Sequence, residues 1–428
     1  MPMRTITNPI LPGFHPDPSI CRVGEDFYLV TSTFEYFPGL PIYHSKNLAD
    51  WQLIGHGLSR PEQLQLPTKN PNAFGLYAPT LRFIKDRFYL VCTNVGANEG
   101  GEGNFLIWTG SGAADPEGPH LYKKDGYYYL LISEGGTSYG HMLTMARSRS
   151  LTGPYEACPN NPVMTNRSTN LPLQAAGHAD LVQDTKGNWW AVCLAVRPIS
   201  YPLRHLLGRE TCLLPVDWSN PWPEFGEEGH LPESIQVDTA AAPKETQKKS
   251  SKPDYVTLFE WDPTLIEEEP HGFLLHPNQT GLSDQGKLAA VFQRQTAFDQ
   301  QFQATFDCRQ LTDGQAGLTV FLNATHHYEG YLEKTASSQQ LVFRRQIGSL
   351  WKVEKKLTYA ADTVTLQLSA DKETYRFSVV DEQGQAQPLG RGETKYLTTE
   401  VGGVFTGIMV GCYASASSSQ QTVHVRDF

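Results

Sequence analysis

A repeated pattern of strand, polar turn and strand in the first half of the chain restricts the fold more than any other feature. The segment "DPSICRVGEDFYLVTST" at Asp17 has three echoes: "APTLRFIKDRFYLVCTN" from Ala78, "GPHLYKKDGYYYLLISE" from Gly118 and "HADLVQDTKGNWWAVCLA" from His178. Alternating apolar residues around a short polar turn are typical of β-hairpins. Repeats that begin about 40 to 60 residues apart match the blade period of a β-propeller. We therefore expect the first residues of the four repeats to lie near one central axis.

The second half of the chain begins with a change of composition near residue 240. The stretch "AAAPKETQKKSSKPDY" has no apolar periodicity and is rich in Lys, Ser, Pro and Ala, which indicates a linker. Beyond it, short alternating segments such as "FQATFDCRQ", "AGLTVFLNA" and "TVTLQLSA" are typical of a β-sandwich. The sequence therefore predicts an all-β protein with a β-propeller over residues 1–239, a linker over 240–255 and a β-sandwich over 256–428.

Charge and apolar patterning exclude several kinds of partner. The net charge is −10, whereas surfaces that bind nucleic acids or anionic membranes are basic. No apolar run is long enough for a membrane span, and "MPMRTITNPILPGF" contains no secretory signal core. We therefore expect a cytoplasmic protein that binds neither nucleic acid nor membrane. The seven cysteines lack CxxC spacing, which favours buried free thiols over disulfides or a zinc site.

Two carboxylates stand at positions suited to the hydrolysis of a glycosidic bond. This reaction needs one carboxylic acid to protonate the leaving oxygen and a second carboxylate to activate water or attack the sugar. Asp17 lies between two prolines at the start of an inner strand, and Glu134 ends the strand "YYYLLIS" before two glycines. Each has an ordinary alternative, because Asp beside Pro often caps a turn and an acid after a strand is often exposed.

Several long motifs resemble one enzyme family. The segments "NPILPGFHPDPSICRVGEDFYLVTSTFEYFPGLPIYHSKNLADW", "EGPHLYKKDGYYYLLISEGGTSYGHMLTMARSRSLTGPYE" and "LGRETCLLPV" are similar, in this order, to the β-xylosidases and α-L-arabinofuranosidases of glycoside hydrolase family 43. The resemblance covers nearly the whole chain, including the sandwich. It implies an exo-acting enzyme that releases terminal xylose or arabinose from xylan-derived oligosaccharides by inversion. In that mechanism Asp17 is the general base and Glu134 the general acid.

The resemblance also implies a set of sugar-binding residues. Phe34 and Tyr77 are expected to line the pocket for the terminal sugar, because sugar C–H faces pack on aromatic rings. Ordinary core packing is the alternative for both. Arg209 is expected to hold sugar hydroxyls with its fork of donors, and an ion pair with Glu210 is its alternative. Phe405, from the sandwich, is expected to close the pocket.

A metal ion is the one cofactor that the resemblance suggests. His178, in "GHAD", resembles a family residue beside a central calcium ion or a water bound to it. A lone His is more often a satisfied core residue than a ligand. We therefore expect no required cofactor and leave a structural calcium ion open.

The chain departs from the family pattern between its second and third repeats. Family members have five blades, and a third acid in an Asp-Pro-Ser strand orients the general acid and tunes its pKa. Here "EGNFLIWT" runs directly into "GSGAADPEGPHLY", so at least one blade's worth of sequence, about 40 residues, is missing. We expect about four blades and do not expect Asp115 to replace the third acid.

The missing blade leaves two further questions open. Strand edges exposed by its loss could be covered by a second chain, so a homo-oligomer is one expectation. Loss of the third acid could also mistune or displace Glu134 and reduce activity. A second function is therefore carried forward, a catalytically impaired relative that binds sugars or assembles with a partner.

Overall fold

Strands make up nearly all the regular structure of the protein. The computed structural model describes residues 3–63, 66, 74–96, 107–238, 253–418 and 420–428. Within these residues the helical segments are two 3₁₀ turns, Pro61–Gln63 and Thr394–Leu397, and one short α-helix, α1 (Thr399–Gly402). None of these described helices has the length and apolar character needed to cross a membrane.

Nineteen strands precede residue 239 in the described part of the chain. In chain order they are β1 (Met3–Thr7), β2 (Ser19–Val23), β3 (Asp26–Val30), β4 (Tyr36–Phe37), β5 (Gly39–Ser45), β6 (Gln52–Leu58), β7 (Gly75–Ile84), β8 (Arg87–Val95), β9 (Glu117–Lys124), β10 (Tyr127–Glu134), β11 (Met142–Ser148), β12 (Glu156–Ala157), β13 (Gln174–Gln183), β14 (Trp189–Val196), β15 (Pro198–Ile199), β16 (Arg204–His205), β17 (Glu210–Asp217), β18 (Glu224–Phe225) and β19 (Ser234–Asp238).

These strands form four blade sheets, and each blade begins with one of the four sequence repeats. The first, third and fourth blades are antiparallel sheets with the strand orders β2-β3-β5-β6, β9-β10-β11-β12 and β13-β14-β17-β18. The second blade consists of β7 and β8 alone in the described residues. Strands β1 and β19 pair with each other and bring the two ends of this half together. Within the described residues, the predicted hairpins and the count of about four blades are thus confirmed.

The first residues of the four repeats meet around one axis, as predicted. Asp17, Ala78, Gly118 and His178 all have left-handed backbone, with φ of 54°, 43°, 57° and 49°. The amide of Ala78 donates to Ser32 Oγ at 2.7 Å, and Ser32 Oγ donates to Asp17 Oδ2 at 2.7 Å. Gly118 packs so closely on His178 that a Cβ there would lie 2.9 Å from its ring. A side chain therefore has no room at this point of the axis.

One buried carboxylate joins all four blades below this ring of residues. Asp180 accepts hydrogen bonds from Ser19 Oγ at 2.6 Å, Tyr122 Oη at 2.6 Å and Arg82 Nη1 at 2.7 Å. Burial raises the pKa of Asp180, but His120 and Arg82 outweigh burial and lower it to about 2. Asp180 is therefore ionised at neutral pH and holds donors from the other three blades.

The site of the missing blade is visible in the described residues. Between β8 and β9, residues 107–116 contain no strand, and residues 97–106 lie outside the described part of the chain. The two-stranded second blade leaves apolar side chains open to solvent, with Tyr89 48% and Val91 67% exposed. The structure thus agrees with the loss of one blade's worth of strands at the predicted place.

The remaining strands build a sandwich. In chain order they are β20 (Thr257–Leu258), β21 (Ile266–Glu269), β22 (Gly272–Leu275), β23 (Ala289–Arg294), β24 (Gln300–Asp307), β25 (Gly314–Asn323), β26 (His326–Thr335), β27 (Ser338–Ile347), β28 (Leu350–Thr358), β29 (Thr363–Ala370), β30 (Thr374–Val380), β31 (Ala386–Glu393), β32 (Met409–Ala416) and β33 (Val423–Arg426).

Two antiparallel sheets pack face to face in this half. A seven-stranded sheet has the order β21-β22-β33-β24-β29-β30-β31, and a six-stranded sheet has the order β23-β32-β25-β26-β27-β28. The sandwich half touches the propeller directly, because β20 pairs with β4, which lies between β3 and β5 of the first blade along the chain. Residues 239–252, which include most of the predicted linker, lie outside the described residues, so the predicted domain boundaries stay predictions. All seven cysteines are free thiols and six are buried, as predicted.

Candidate active site

Asp17 is a buried carboxylate with a directed donor on each oxygen. It is 3% exposed. Arg209 Nη1 donates to Oδ1 at 2.8 Å and Ser32 Oγ donates to Oδ2 at 2.7 Å. The flanking Pro16 and Pro18 have fixed φ, and the carbonyl of Pro16 accepts the amide of Ser32 at 3.0 Å. Asp17 therefore does not act as an exposed turn cap, because its side chain is held at the propeller axis.

Arg209 joins Asp17 to the sandwich. Its Nη1 also donates to Thr137 Oγ1 at 3.3 Å, and its Nη2 donates to the carbonyl of Phe405 at 3.3 Å. The alternative of an ion pair with Glu210 is wrong, because Glu210 bonds Arg197 instead, at 2.7 and 2.8 Å. Neighbouring residues of an extended chain point to opposite sides, so Arg209 and Glu210 reach different partners.

Three aromatic rings meet beside Arg209. The ring centroid of Phe34 lies 4.2 Å from that of Tyr77 and 6.2 Å from that of Phe405. The Arg209 guanidinium lies 5.2 Å from the centroid of the Phe34 ring. Burial, together with Glu35, raises the pKa of Tyr77 to about 12, so its hydroxyl stays protonated at neutral pH. The structure thus brings together the aromatic residues that the resemblance pointed to.

The three rings differ in how deeply they are buried. Phe34 is 1% exposed and also packs on Phe14, so core packing and pocket lining apply to it together. Phe405, on the sandwich segment that follows α1, is 43% exposed. Only a ring with exposed surface is free to contact a ligand over a large area, so Phe405 and the half-buried Tyr77 offer the accessible part of this wall.

Glu134 ends β10 and is fully buried, so the exposed-loop alternative is wrong. The amide of Ser111 donates to both of its carboxylate oxygens at 3.0 Å, and the amide of Ala113 donates to Oε1 at 3.2 Å. The hydroxyl of Thr144 on β11 donates to Oε2. The Ser111 and Ala113 amides come from the short connection that stands where the family has a further blade.

The connection over residues 110–113 presses against the Glu134 carboxylate. A Cβ at Gly110, where φ is 78°, would lie 2.6 Å from Oε1, so only glycine fits there. Burial raises the pKa of Glu134, but the Thr144 hydroxyl and the Ser111 and Ala113 amides outweigh burial and lower it. In this arrangement Glu134 favours the ionised form, whereas a general acid has to be protonated.

A chain of alternating carboxylates and imidazoles extends from Asp17 along the axis. His178 Nδ1 lies 3.9 Å from Asp17 Oδ1 and 3.5 Å from Glu117 Oε1, and His141 Nε2 lies 3.4 Å from Glu117 Oε1. Burial lowers the pKa of His178, but Asp17 and Glu117 outweigh burial and raise it. Sequence reasoning missed Glu117 and His141. The signal for Glu117 was its place directly before Gly118, the first residue of the third repeat.

The described side chains around His178 do not by themselves form a set of calcium ligands. Calcium takes several oxygen ligands, whereas here two imidazoles alternate with two carboxylates at nitrogen–oxygen distances of 3.4, 3.5 and 3.9 Å. Three of these atoms, His178 Nδ1, His141 Nε2 and Glu117 Oε1, are buried without a hydrogen-bond partner among the described residues. No group of three or more His, Cys, Asp or Glu side chains in the described ranges is arranged to hold a metal ion. The arrangement places His178 beside Asp17, where the two neighbouring carboxylates raise the pKa of its imidazole.

Asp115 lies near the acid without contacting its carboxylate. Its Oδ2 would be 2.9 Å from a Cβ placed on Gly136, two residues beyond Glu134. No hydrogen bond joins Asp115 to Glu134 among the described residues, and Asp115 is exposed. In this conformation Asp115 does not orient the acid, in agreement with the expectation from the sequence.

Comparison with known proteins gives two family matches. Residues 6–115 and 108–223 match the model of glycosyl hydrolases family 43. Residues 252–428 match the beta xylosidase C-terminal Concanavalin A-like domain. The two parts of the first match overlap at residues 108–115, as expected for a chain that lacks an internal segment of the family.

Two of the similar proteins match nearly the whole chain, and a third matches about three fifths of it. A non-reducing end alpha-L-arabinofuranosidase of Bacteroides ovatus is 34% identical over 496 residues, which cover 98% of this chain and 93% of the relative. A beta-xylosidase of Bacillus subtilis is 34% identical over 61% of this chain and 63% of its own length. Among solved structures, a xylan beta-1,4-xylosidase of Bacillus halodurans has a TM-score of 0.88 at 28% identity, with 98% and 99% of the two chains covered. The first alignment is longer than the 428-residue chain, so it includes gaps opposite segments that the relative carries.

Proposed function

Because this chain belongs to glycoside hydrolase family 43, we propose that it is an exo-acting glycosidase of terminal pentoses. It releases xylose, and arabinose where present, from xylan-derived oligosaccharides with inversion at the anomeric carbon. Asp17 is the general base and Glu134 the general acid. The relatives from Bacteroides ovatus and Bacillus subtilis are named as an arabinofuranosidase and a xylosidase. Both names describe hydrolysis, so a sugar-binding protein without turnover is not favoured.

The strongest support for this proposal is the position of Asp17 beside the three aromatic rings. The buried Asp17 carboxylate is held by Arg209 and Ser32 beside the wall of Phe34, Tyr77 and Phe405. Aromatic rings pack on the C–H face of a sugar, and a fixed carboxylate beside them can accept a proton from water. This combination supplies both sugar binding and base catalysis.

The inverting reaction assigns a proton movement to each carboxylate. Asp17 takes a proton from water as the water oxygen bonds to the anomeric carbon and the bond to the leaving oxygen breaks. Glu134 gives its proton to that leaving oxygen. In inverting enzymes the two carboxyl groups stand about 6.5–9.5 Å apart, which leaves room for the water. Because residues 110–113 cover Glu134, this segment has to move aside in the productive complex.

The test is hydrolysis of nitrophenyl β-xyloside and nitrophenyl α-arabinofuranoside by the purified protein beside Asp17→Asn and Glu134→Gln. We expect turnover of at least one substrate, loss of activity in Asp17→Asn, and a strong loss in Glu134→Gln. NMR of the first product formed should show the inverted anomer. A folded protein with no turnover would overturn the function, and full activity in either variant would overturn the assigned role.

We also propose that the enzyme works in the cytoplasm and requires no cofactor. Seven free thiols suit a reducing compartment, where disulfides are rare. Arg209 supplies a positive charge directly beside Asp17, which a bound metal ion would otherwise have to provide. Activity retained after dialysis against EDTA is the expected result, and loss of activity that calcium restores would contradict it.

A further inference from the structure

Glu400, on the short helix α1 of the sandwich, binds two separate parts of the propeller. Tyr139 Oη donates to Glu400 Oε1 at 2.9 Å. The backbone amide of His205 donates to Oε2 at 2.9 Å, and His205 Nδ1 lies 2.7 Å from Oε1. One carboxylate thus connects the sandwich, the loop after β10 and strand β16.

Both propeller partners of Glu400 are close along the chain to the base and its arginine. Tyr139 is two residues beyond Thr137, whose hydroxyl accepts a hydrogen bond from Arg209. His205 precedes Arg209 by four residues, through the fully buried Leu206 and Leu207. Displacement of Tyr139 or His205 would therefore also shift the Arg209 guanidinium, which holds Asp17.

The sandwich segment that contains Glu400 also carries Phe405, the ring expected to close the sugar pocket. Helix α1 is followed by its C-cap Gly403, which has φ of 67° and whose amide donates to the carbonyl of Thr399 at 2.9 Å. Thr399 Oγ1 also donates to the carbonyl of Thr406 at 3.1 Å. Glu400 and Phe405 therefore lie on one compact turn. Hydrogen bonds from Gly403 to Thr399 and from Thr399 to Thr406 close this turn before and after Phe405.

We propose that Glu400 is a positioning residue for the sugar pocket, which seats the turn carrying Phe405 against the propeller. The inference rests on the proposed glycosidase function, since it concerns the same pocket. Glu400 does not touch the sugar or the reacting atoms. It acts through Phe405, Tyr139 and His205, and so it sets how well the pocket fits a terminal pentose.

Glu400 is in the ionisation state that its hydrogen bonds to Tyr139 and His205 require at neutral pH. Burial raises the pKa of Glu400, but His205 outweighs burial and lowers it. Burial and Glu400 together raise the pKa of Tyr139, with Arg204 opposing. The carboxylate is therefore ionised and the phenol protonated at neutral pH, which is the pairing that the 2.9 Å hydrogen bond needs.

The kinetic test compares Glu400→Ala and Glu400→Gln with a matched control, Glu393→Ala. Glu393 lies on the same sandwich segment, but its carboxylate bonds Arg345 within the sandwich. We expect Glu400→Ala to raise KM for nitrophenyl β-xyloside by about tenfold while kcat changes by less than about threefold, because uniform binding is lost. Glu400→Gln keeps one acceptor oxygen and should fall between. An unchanged KM, or an equal rise in Glu393→Ala, would overturn the proposal.

A second readout separates this proposal from the proposed function. Hydrogen exchange of residues 399–408 is measured without substrate in the unmodified protein and in Glu400→Ala. Faster exchange in the variant, with the rest of the sandwich unchanged, is the expected result. Unchanged exchange would overturn the positioning role even in an active enzyme. Absence of turnover in the unmodified protein would instead overturn the proposed function and leave this measurement valid.

Discussion

The amide of Ser111 donates to both carboxylate oxygens of Glu134, each at 3.0 Å. Ser111 belongs to the connection that replaces a whole blade, so the chain covers its candidate acid with backbone donors. Backbone donors stabilise a carboxylate and disfavour its protonated form. This segment should therefore affect both the pH range and the rate of the enzyme.

Removal of the Thr144 hydroxyl should extend activity to higher pH. Thr144→Val deletes a donor to the Glu134 carboxylate, so the pKa of Glu134 rises and the acid stays protonated at higher pH. Loss of one charge-assisted bond of about 1.5 kcal/mol corresponds to about one pH unit. The measurement is the basic limb of the pH profile of kcat/KM. Thr144→Ser, which keeps the hydroxyl, is the control, and a basic limb that stays in place in the valine variant would contradict the prediction.

Arg209 should be more sensitive to a conservative change than the partly buried Arg197. Arg209→Lys keeps the charge but loses the fork that reaches Asp17 and Phe405. We expect kcat/KM to fall about 100-fold, or about 2.7 kcal/mol. Arg197→Lys is the control, because Arg197 bonds Glu210 and not Asp17, and its kcat/KM should change by less than about threefold. Similar losses in both variants would refute a specific role for Arg209.

Phe405 should affect substrate binding more than folding. Phe405→Ala removes a ring that is 43% exposed and packs on Phe34 and Tyr77. We expect KM for nitrophenyl β-xyloside to rise about fivefold to tenfold, because about 1–1.5 kcal/mol of ring contact is lost. Thermal unfolding should shift little. Trp351→Ala, at a ring 64% exposed on β28, is the control, and an equal rise in KM there would exclude a local effect.

Asp180 should make the stability of the propeller depend on pH. Its pKa is lowered to about 2 in the folded protein, below the ordinary value of an unfolded Asp. The ionised form therefore stabilises the fold above about pH 4 by about 2 kcal/mol, and this contribution disappears as the pH falls toward 2. Asp180→Asn should lower the free energy of unfolding in urea at pH 7 and have a smaller effect at pH 3.

The exposed Asp125 provides the comparison for that measurement. Its side chain is 76% exposed and, within the described part of the chain, pairs only with the neighbouring Lys124. Asp125→Asn should therefore leave the unfolding free energy unchanged within about 0.5 kcal/mol. An effect of Asp180→Asn that is equal at both pH values would show that its charge does not stabilise the propeller.

The repeated hairpins were predictable because their causes are local. Strand alternation has a period of two residues, and polar turns with Gly or Asp reverse the chain within a few positions. For the same reason the missing blade was visible from the place where one repeat ended and the next began. The shared left-handed backbone at Asp17 and His178 also follows from their equal places in the repeat.

The partners of the site residues were decided only by the tertiary structure. From the sequence, Arg209 could either bind sugar or form an ion pair with Glu210. In the structure Arg209 bonds Asp17, and Glu210 bonds Arg197. The contact of Glu400 with His205 joins residues 195 positions apart.

The chain by itself thus determined the blades, the sandwich and the residue types at the axis, because these depend on short-range periodicity. It did not determine that residues 110–113 would cover Glu134, that Glu117 would pair with His178, or that Glu400 would bind the propeller. Those contacts form between segments that are distant in sequence, and which donor meets which acceptor depends on how the closed propeller and the sandwich pack together. The hydrogen bonds that control the ionisation of the site carboxylates and the access of substrate to them are therefore decided only by the tertiary structure.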